Sequence, residues 1–421
     1  MDTIFAEATP PGRGGVSIIR ISGPEARRVA ETLSGALLEP RRAYHRAIRE
    51  GQEVLDDALV TWFEAGASFT GEESAELNLH GAPVVVARVG QALRKMGLRR
   101  AEAGEFTRRA FLNGCIDLSQ AEGFADLLAA ETESQRRQAV QTASGALSRR
   151  VAHWRAMLVE AGALIESSVD FADEEVPEDV PPRVYELIDQ LREELDREIA
   201  GHPAAERLRT GFDVAIVGPP NAGKSSLINA IARREVAIVS AVAGTTRDVI
   251  ELRTDLDGLA VTFLDTAGLR VTADEVEAIG VERARIRAEE ADLRIHLSED
   301  GQHDATLVRD DDLLVRTKAD LLERDDGLSL SALTGTGITE LLTSVRSLLS
   351  ARVAHAGLLT HQRQADALSD ARGALDAAED LAPELLAEAV RRASHSLDLL
   401  VGRIAPDDYL DHIFTAFCIG K

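Results

Sequence analysis

DVAIVGPPNAGKSSLINAI (213–231) runs from an apolar strand, Asp213 to Val217, through a glycine-bearing turn into a helix. The turn, Gly218 to Ser225, has the G-x-x-x-x-G-K-S spacing of a phosphate-binding loop. Gly218 and Gly223 let backbone N–H groups curl round phosphate oxygens with no side chain in the way. Lys224 brings a point charge to the β- and γ-phosphates, and the Ser225 hydroxyl can ligate Mg²⁺. Asn221, Ala222 and Ser226 complete the loop. The helix that follows offers its positive end to the anion. An accidental Lys-Ser after a glycine turn is the bland alternative, and the flanking strand and helix count against it.

Outward from this loop, residues 211–350 alternate strand, loop and helix, the signature of a parallel α/β sheet. VTFLDTAGL (261–269) delivers Asp265 at a strand end, where a carboxylate can hold Mg²⁺ through water. Thr266 and Ala267 follow, and Gly268 can donate its N–H to a γ-phosphate. LLVRTKAD (313–320) sets Lys318 and Asp320 after another strand. An aspartate there can accept from the guanine N1–H and 2-amino groups, a donor pair adenine lacks. The segment resembles the guanine-specificity motif of translation-factor-like GTPases, with Thr317 where Asn is usual. LSALTG (330–335), with Ser331 and Ala332, resembles the last GTPase motif, in which the Ala332 N–H meets the guanine carbonyl oxygen.

Leu269 stands where Ras-type enzymes carry the glutamine that orients the attacking water, and a leucine cannot do that. IVSAVAGTTRD (238–248) is small and flexible enough to wrap a monovalent cation with carbonyl oxygens, and Thr246 suits the switch threonine that ligates Mg²⁺. With Asn221, it resembles the potassium-activated GTPases; taken alone, Asn221 also reads as a loop-stabilising side chain.

The chain as a whole is an ordinary globular sequence of 421 residues, 45% hydrophobic and 28% charged, with a net charge of −24. Such an acid balance excludes a generic polyanion binder, so any nucleic acid must be met by a local basic patch or through a partner. No window holds eighteen apolar residues in succession, and MDTIFAEATPPGRGG shows no signal-peptide apolar run. Two cysteines, Cys115 and Cys418, make no disulfide framework and suit a reducing cytoplasmic compartment.

The first hundred residues read as α+β, with strands in 14–22, 58–63 and 74–81 and a helix in 84–97. Helical periodicity covers 118–168, resumes at Val184 and runs to about Arg209. Between them, DFADEEVPEDVPP (170–182) carries six acidic residues and three prolines and reads as a solvated loop. Beyond Thr360 the chain is helical again. The expected multidomain division is an α+β domain over 1–117, an α-helical domain in two parts over 118–209 and 353–421, and an inserted α/β P-loop domain over 210–352.

DTIFAEATPPGRGGVSIIRISGP (2–24), GEFTRRAFLNGCIDLSQAEG (104–123) and FCIGK (417–421), with GPPNAGKSS, AGTTRD and DTAGLR between, resemble the MnmE (TrmE) family of tRNA-modification GTPases. The resemblance implies an N-terminal domain that dimerises and binds 5-formyl-tetrahydrofolate or a related reduced folate. It implies a homodimer that works with an FAD-dependent partner (MnmG/GidA). Together they add a carboxymethylaminomethyl or aminomethyl group to carbon 5 of the wobble uridine in certain tRNAs, driven by K⁺-stimulated GTP hydrolysis. Carried over by position, Asn221, Ser240, Val242 and Thr245 would line the K⁺ site, and Ser225 and Thr246 match the Mg²⁺ ligands. Glu277 matches a glutamate that helps position the hydrolytic water; without the family it is a surface helix carboxylate. Arg20, Glu76 and Lys421 match folate-pocket residues, and Cys115 stands where a Lys is common. Cys418 keeps a family position tied to modification, and otherwise reads as a small buried hydrophobe. The other readings are an assembly GTPase docking on ribosomal RNA, which calls for a basic appendage, and a GTP-dependent interaction protein without a modification role.

Overall fold

The computed structural model describes residues 2–170, 180–234, 251–265, 286–300, 308–321, 327–376, 378, 381–403, 414 and 420. Two units are formed, one from 1–125 with 398–421 and the other from 126–397.

In the first unit six strands build one sheet: β1 (Ile4–Glu7), β2 (Val16–Ser22), β3 (Tyr44–Glu50), β4 (Glu53–Phe63), β5 (Ser74–His80) and β6 (Arg99–Arg100), in the order β3-β4-β5-β2-β1-β6. All neighbours are antiparallel except β1 and β6. Side chains alternate across a strand, so Ile19, Ile21, Ala75, Leu77 and Leu79 share one buried face. Helices α1 (Ala26–Ser34) and α2 (Pro83–Lys95) cover that face through Val29, Leu33, Val89 and Leu93. On the other face Ile4 and Ala6 pack with Ala101 and with Phe106 of α3 (Glu105–Leu112). The expected strands in 14–22, 58–63 and 74–81 and the helix in 84–97 correspond to β2, β4, β5 and α2. Sequence reading passed over β1, β3 and α1, whose arginines and short lengths hide the alternation.

The second unit holds a helical part and a nucleotide-binding part. Helix α4 (Leu118–Ala129), whose residues up to 125 belong to the first unit, leads to α5 (Glu133–Ala143), whose Thr132 and Gln135 form a capping box. The long helices α6 (Ala146–Asp170) and α7 (Pro182–Thr210) pack along one another, and the buried Trp154 donates its Nε1–H to Glu194 at 3.0 Å. The acidic loop expected at 170–182 falls largely outside the described residues. From α7 the chain enters β7 (Phe212–Val217), α8 (Lys224–Ala232), β8 (Glu251–Leu256), β9 (Leu259–Asp265), β10 (Leu293–Ser298), β11 (Leu313–Arg316) and α9 (Ile338–Val353). These strands form a five-stranded sheet in the order β11-β10-β7-β9-β8, parallel except for the edge strand β8. β7 is central because it is apolar on both faces, as a covered parallel strand must be: Val214, Ala215, Ile216 and Val217 are all buried. Helices α10 (Gln362–Ala374) and α11 (Pro383–Val401) complete the helical part.

Candidate functional site

The carboxyl ends of β7, β9, β10 and β11 lie at one edge of the parallel sheet, where open α/β folds bind their ligands. Gly218 follows β7 directly, and a Cβ there would sit 2.5 Å from the Leu297 carbonyl oxygen on β10. Only glycine lets the loop leave the sheet at that point. Asn221 has φ 66° and Gly223 has φ 96°. Asparagine is among the few side chains that tolerate the left-handed region, so this geometry gives Asn221 a backbone role besides any ligand role. Lys224, the first residue of α8, turns back over the loop and donates to the carbonyl oxygens of Gly218 at 2.7 Å and Pro219 at 3.0 Å.

Ser225 donates from Oγ to Oδ2 of Asp265 at 2.6 Å. The Asp265 side chain is buried, and its Oδ1 has no hydrogen-bond partner among the described residues. A buried carboxylate oxygen without a donor is costly, and a hydroxyl beside it supplies a second oxygen. Hard oxygen donors of this kind suit Mg²⁺, so these two residues fit the ion.

An open cleft of about 310 Å³ lies against the loop, lined by Asn221, Ala222, Gly223 and Ser226 on one side. Thr317, Lys318, Asp320, Ser331 and Ala332 line the other. Both guanine-type motifs therefore meet the phosphate-type loop in one cavity. Thr317 is buried, and its backbone N–H donates to Ser298 O at 2.8 Å, which locks the motif onto β10. Lys318 adopts φ 59°, a rare conformation for a long side chain. Its ammonium pairs with Glu299. The Ser331 loop closes by Ser331 N–H to Thr336 O at 3.0 Å and Gly335 N–H to Ser331 O at 2.8 Å. Gly337 starts α9 at φ 74°, with no room for a Cβ, which would fall 2.0 Å from Ser329 O.

Besides the buried Leu330, two exposed lining residues were missed from sequence, Leu321 and Leu333, which are 76% and 88% exposed. Each is the apolar residue next to a motif residue, Asp320 and Ala332, and that adjacency was the available signal. Also missed was a buried cluster at the amino ends of β10 and β11, in which Asp312 receives Arg294 at 2.8 Å and His296 at 3.0 Å. Ser240, Val242, Thr245, Thr246, Thr266, Ala267, Gly268, Leu269, Glu277, Cys418 and Lys421 lie outside the described residues.

In the first unit Arg20 on β2 stands opposite Glu76 on β5, and they pair at 2.9 Å on the face away from α1 and α2. The Arg20 guanidinium also lies 5.9 Å from the Phe106 ring centroid. Two residues along β2, Ser22 meets Thr70 at 2.7 Å and donates to Glu72 at 2.7 Å. Cys115 is exposed and abuts Gly71 in the same loop, beside Asn113, whose amide donates to Thr70 O at 2.7 Å. Arg20, Glu76 and Cys115 are thus connected through one loop and one sheet face. Lys421 is not described, but its neighbour Gly420 lies against Glu7 at the end of β1, where a Cβ would meet Glu7 O at 2.3 Å. Arg109, buried beneath this region, binds Asp2, Glu72 and Glu105. The Arg99 guanidinium, joined by Arg109, brings the Asp2 carboxyl down to about 2.

A family model described as "GTP-binding protein TrmE N-terminus" matches residues 3–115, and one described as "MnmE helical domain" matches residues 118–418. The chain belongs to the MnmE family. A relative named "tRNA modification GTPase MnmE" from Paracoccus denitrificans is 59% identical over 421 residues, covering 100% of both chains. Another MnmE of the same name, from Cereibacter sphaeroides, is 54% identical over 432 residues, again covering 100% of both. The crystal structure of Era in complex with MgGDPNP and nucleotides 1506–1542 of 16S ribosomal RNA is 27% identical over 33% of this chain and 56% of that one. Its TM-score of 0.26 carries no weight. The two family models describe an N-terminal and a helical domain and the relatives are named GTPases, in keeping with the multidomain α and β architecture expected of the chain. No described helix is long and apolar enough to cross a membrane.

Proposed function

We propose that this chain is a GTP hydrolase acting in tRNA modification. The cavity that joins Asn221–Ser226 to Lys318, Asp320, Ser331 and Ala332 carries the GTP reading. Full-length identity with tRNA modification GTPases carries the tRNA reading. The ribosome-assembly alternative shared only the nucleotide motifs, and family membership along the whole chain leaves it without support.

Asp320 selects guanine by accepting from N1–H and the 2-amino group, and the Ala332 N–H meets the carbonyl oxygen. Leu321 and Leu333 give the base ring apolar contact. The loop N–H groups and Lys224 hold the phosphates. Ser225 and Asp265 would hold Mg²⁺, which supplies charge neutralisation at the β- and γ-phosphates. Asp265 accepts from the Ser225 hydroxyl, which keeps that carboxylate in place. Thr246 joins as a switch ligand, with Thr266, Ala267 and Gly268 near the γ-phosphate. Because Leu269 cannot orient water, we assign that positioning to Glu277 and the missing charge to K⁺ held by Asn221, Ser240, Val242 and Thr245. Arg20, Glu76, Lys421 and the region of Cys115 are assigned to a reduced folate in the N-terminal domain, and Cys418 to the modification step.

The same reading gives a cytoplasmic homodimer working with an FAD-dependent partner on the wobble uridine, with domain limits at 117, 209 and 352. Nucleoside analysis of tRNA from cells lacking this chain tests it. A carbon-5 wobble-uridine modification should disappear and return on complementation, and an unchanged nucleoside profile would refute the proposal.

A further inference from the structure

PRRAYHRAIR (40–49) holds four arginines and a histidine with no acidic residue, in a chain of net charge −24. Residues 1–125 as a whole carry 15 Lys and Arg against 17 Asp and Glu, so almost all of the acidity lies elsewhere. The basic segment forms a turn and then β3, an edge strand paired only with β4.

The turn is held in a fixed shape. Arg41 adopts φ 57°, its N–H donates to Trp62 O at 2.8 Å, and its guanidinium donates to Ala67 O at 2.6 Å. The Glu39 N–H donates to the Tyr44 hydroxyl at 2.8 Å. The Tyr44 ring is buried, with the guanidinium carbons of Arg42 and Arg46 5.6 and 5.1 Å from its centroid. A shift in register between Ile48 and Arg49 then leaves Ile48 in the core and Arg49 exposed. On β4, Asp56 opposite Ile48 pairs with His80 at 2.7 Å, and Asp57 opposite Ala47 is exposed with no ion pair among the described residues. Glu39 pairs with Arg42 at 3.0 Å, and Glu50 is held by Arg88 and Lys95. No ion pair reaches Arg41, Arg46 or Arg49 among the described residues.

We propose that this turn and β3 bind the phosphate backbone of the RNA substrate, an inference that rests on the tRNA reading above. Guanidinium groups pair with phosphate through two parallel N–H···O bonds, and three of them without carboxylate partners on a rigid turn and strand supply the local patch an acidic chain needs. Charged side chains also guard sheet edges against pairing with other strands, and the test separates the two roles.

Binding of an unmodified tRNA transcript to the full-length chain is measured across a salt series for the parent, for Arg46→Gln with Arg49→Gln, and for Arg46→Lys with Arg49→Lys. The parent should bind with a steep salt dependence. The Gln pair should lower the slope of log K against log salt by about 1.4 to 1.8 and weaken low-salt binding about tenfold or more. The Lys pair should retain most of the slope, and GTP hydrolysis should be equal in all three. An unchanged slope and affinity in the Gln pair, with or without aggregation, would overturn the proposal while leaving the tRNA reading intact. A shared loss of binding to anionic vesicles but not to tRNA would also overturn it. A parent chain that binds no tRNA would remove this surface, and the nucleoside analysis then decides the broader reading on its own.

Discussion

Ser225 and Asp265, 40 residues apart in the chain, meet at 2.6 Å across the end of the parallel sheet. One comes from the first turn of α8 and the other from the last position of β9, and β7 pairs with β9 to set their separation. Removing the hydroxyl leaves both Asp265 oxygens without a partner among the described residues, where one is already exceptional. Ser225→Ala should raise the Mg²⁺ concentration needed for half-maximal GTP hydrolysis roughly 10–100-fold, the usual cost of losing a group that ligates or orients at a metal. A Mg²⁺ titration of turnover measures this, and an unshifted midpoint would contradict the assignment.

Asp320 lines the cleft as an exposed carboxylate with both oxygens available to a base edge. Asp320→Asn replaces one acceptor by a donor, which opposes the 2-amino group of guanine and suits the 2-oxo group of xanthine. Hydrogen bonds to a charged partner contribute about 1.5–3 kcal/mol, so GTP affinity should fall roughly 10–100-fold while XTP binding improves. Competition between the two nucleotides for the variant measures the switch. Equal preference before and after substitution would remove Asp320 from base recognition.

Glu277 and the K⁺ ligands answer a different question, how hydrolysis proceeds with Leu269 in place of a water-orienting amide. Glu277→Ala should leave GTP binding near the parent value and lower the single-turnover rate by roughly 10²–10⁴, the range for a positioned acid–base group. Parent turnover should fall when KCl is exchanged for NaCl at equal ionic strength. Matching rates in the two salts would refute the cation assignment, and a normal single-turnover rate in the variant would refute the glutamate's role.

The nucleotide cleft was legible in sequence because each of its motifs combines a strand with a backbone constraint: Gly218 under Leu297, Gly223 at φ 96° and Thr317 beneath Ser298. Such constraints are local and leave a spacing that can be read. The edge strand β3 was not legible, since Arg46 and Arg49 break its alternation and its burial depends on β4 and α1. Arg294 and His296 look like surface residues in sequence, and only the arrival of Asp312 from beyond β10 makes them tolerable inside a sheet. Arg109 reads as a helix-surface charge, and its partners Asp2 and Glu72 lie far from it in the chain. Tertiary partners of this kind leave no trace in local periodicity.

Asp312 gives the clearest dependence on pH. Its side chain is 1% exposed and Arg294 is 3% exposed, so the pair sits fully inside the sheet. Burial alone would raise the carboxyl, but Arg294, the Arg309 backbone N–H and His296 outweigh it and hold Asp312 below the usual carboxylate range. A group whose folded value is depressed contributes stability that is fully present above its unfolded value, near 3.9, and is lost as pH falls through the folded one. Asp312→Asn strands a buried guanidinium, which costs about 3–5 kcal/mol. Urea unfolding, followed by release of a fluorescent GDP analogue, should show a much lower midpoint for the variant at pH 7. The gap should narrow as pH drops below about 4, because the parent then loses the same interaction. A gap that stays constant from pH 7 into the acid range would mean that Asp312 acts through packing, with its charge contributing nothing.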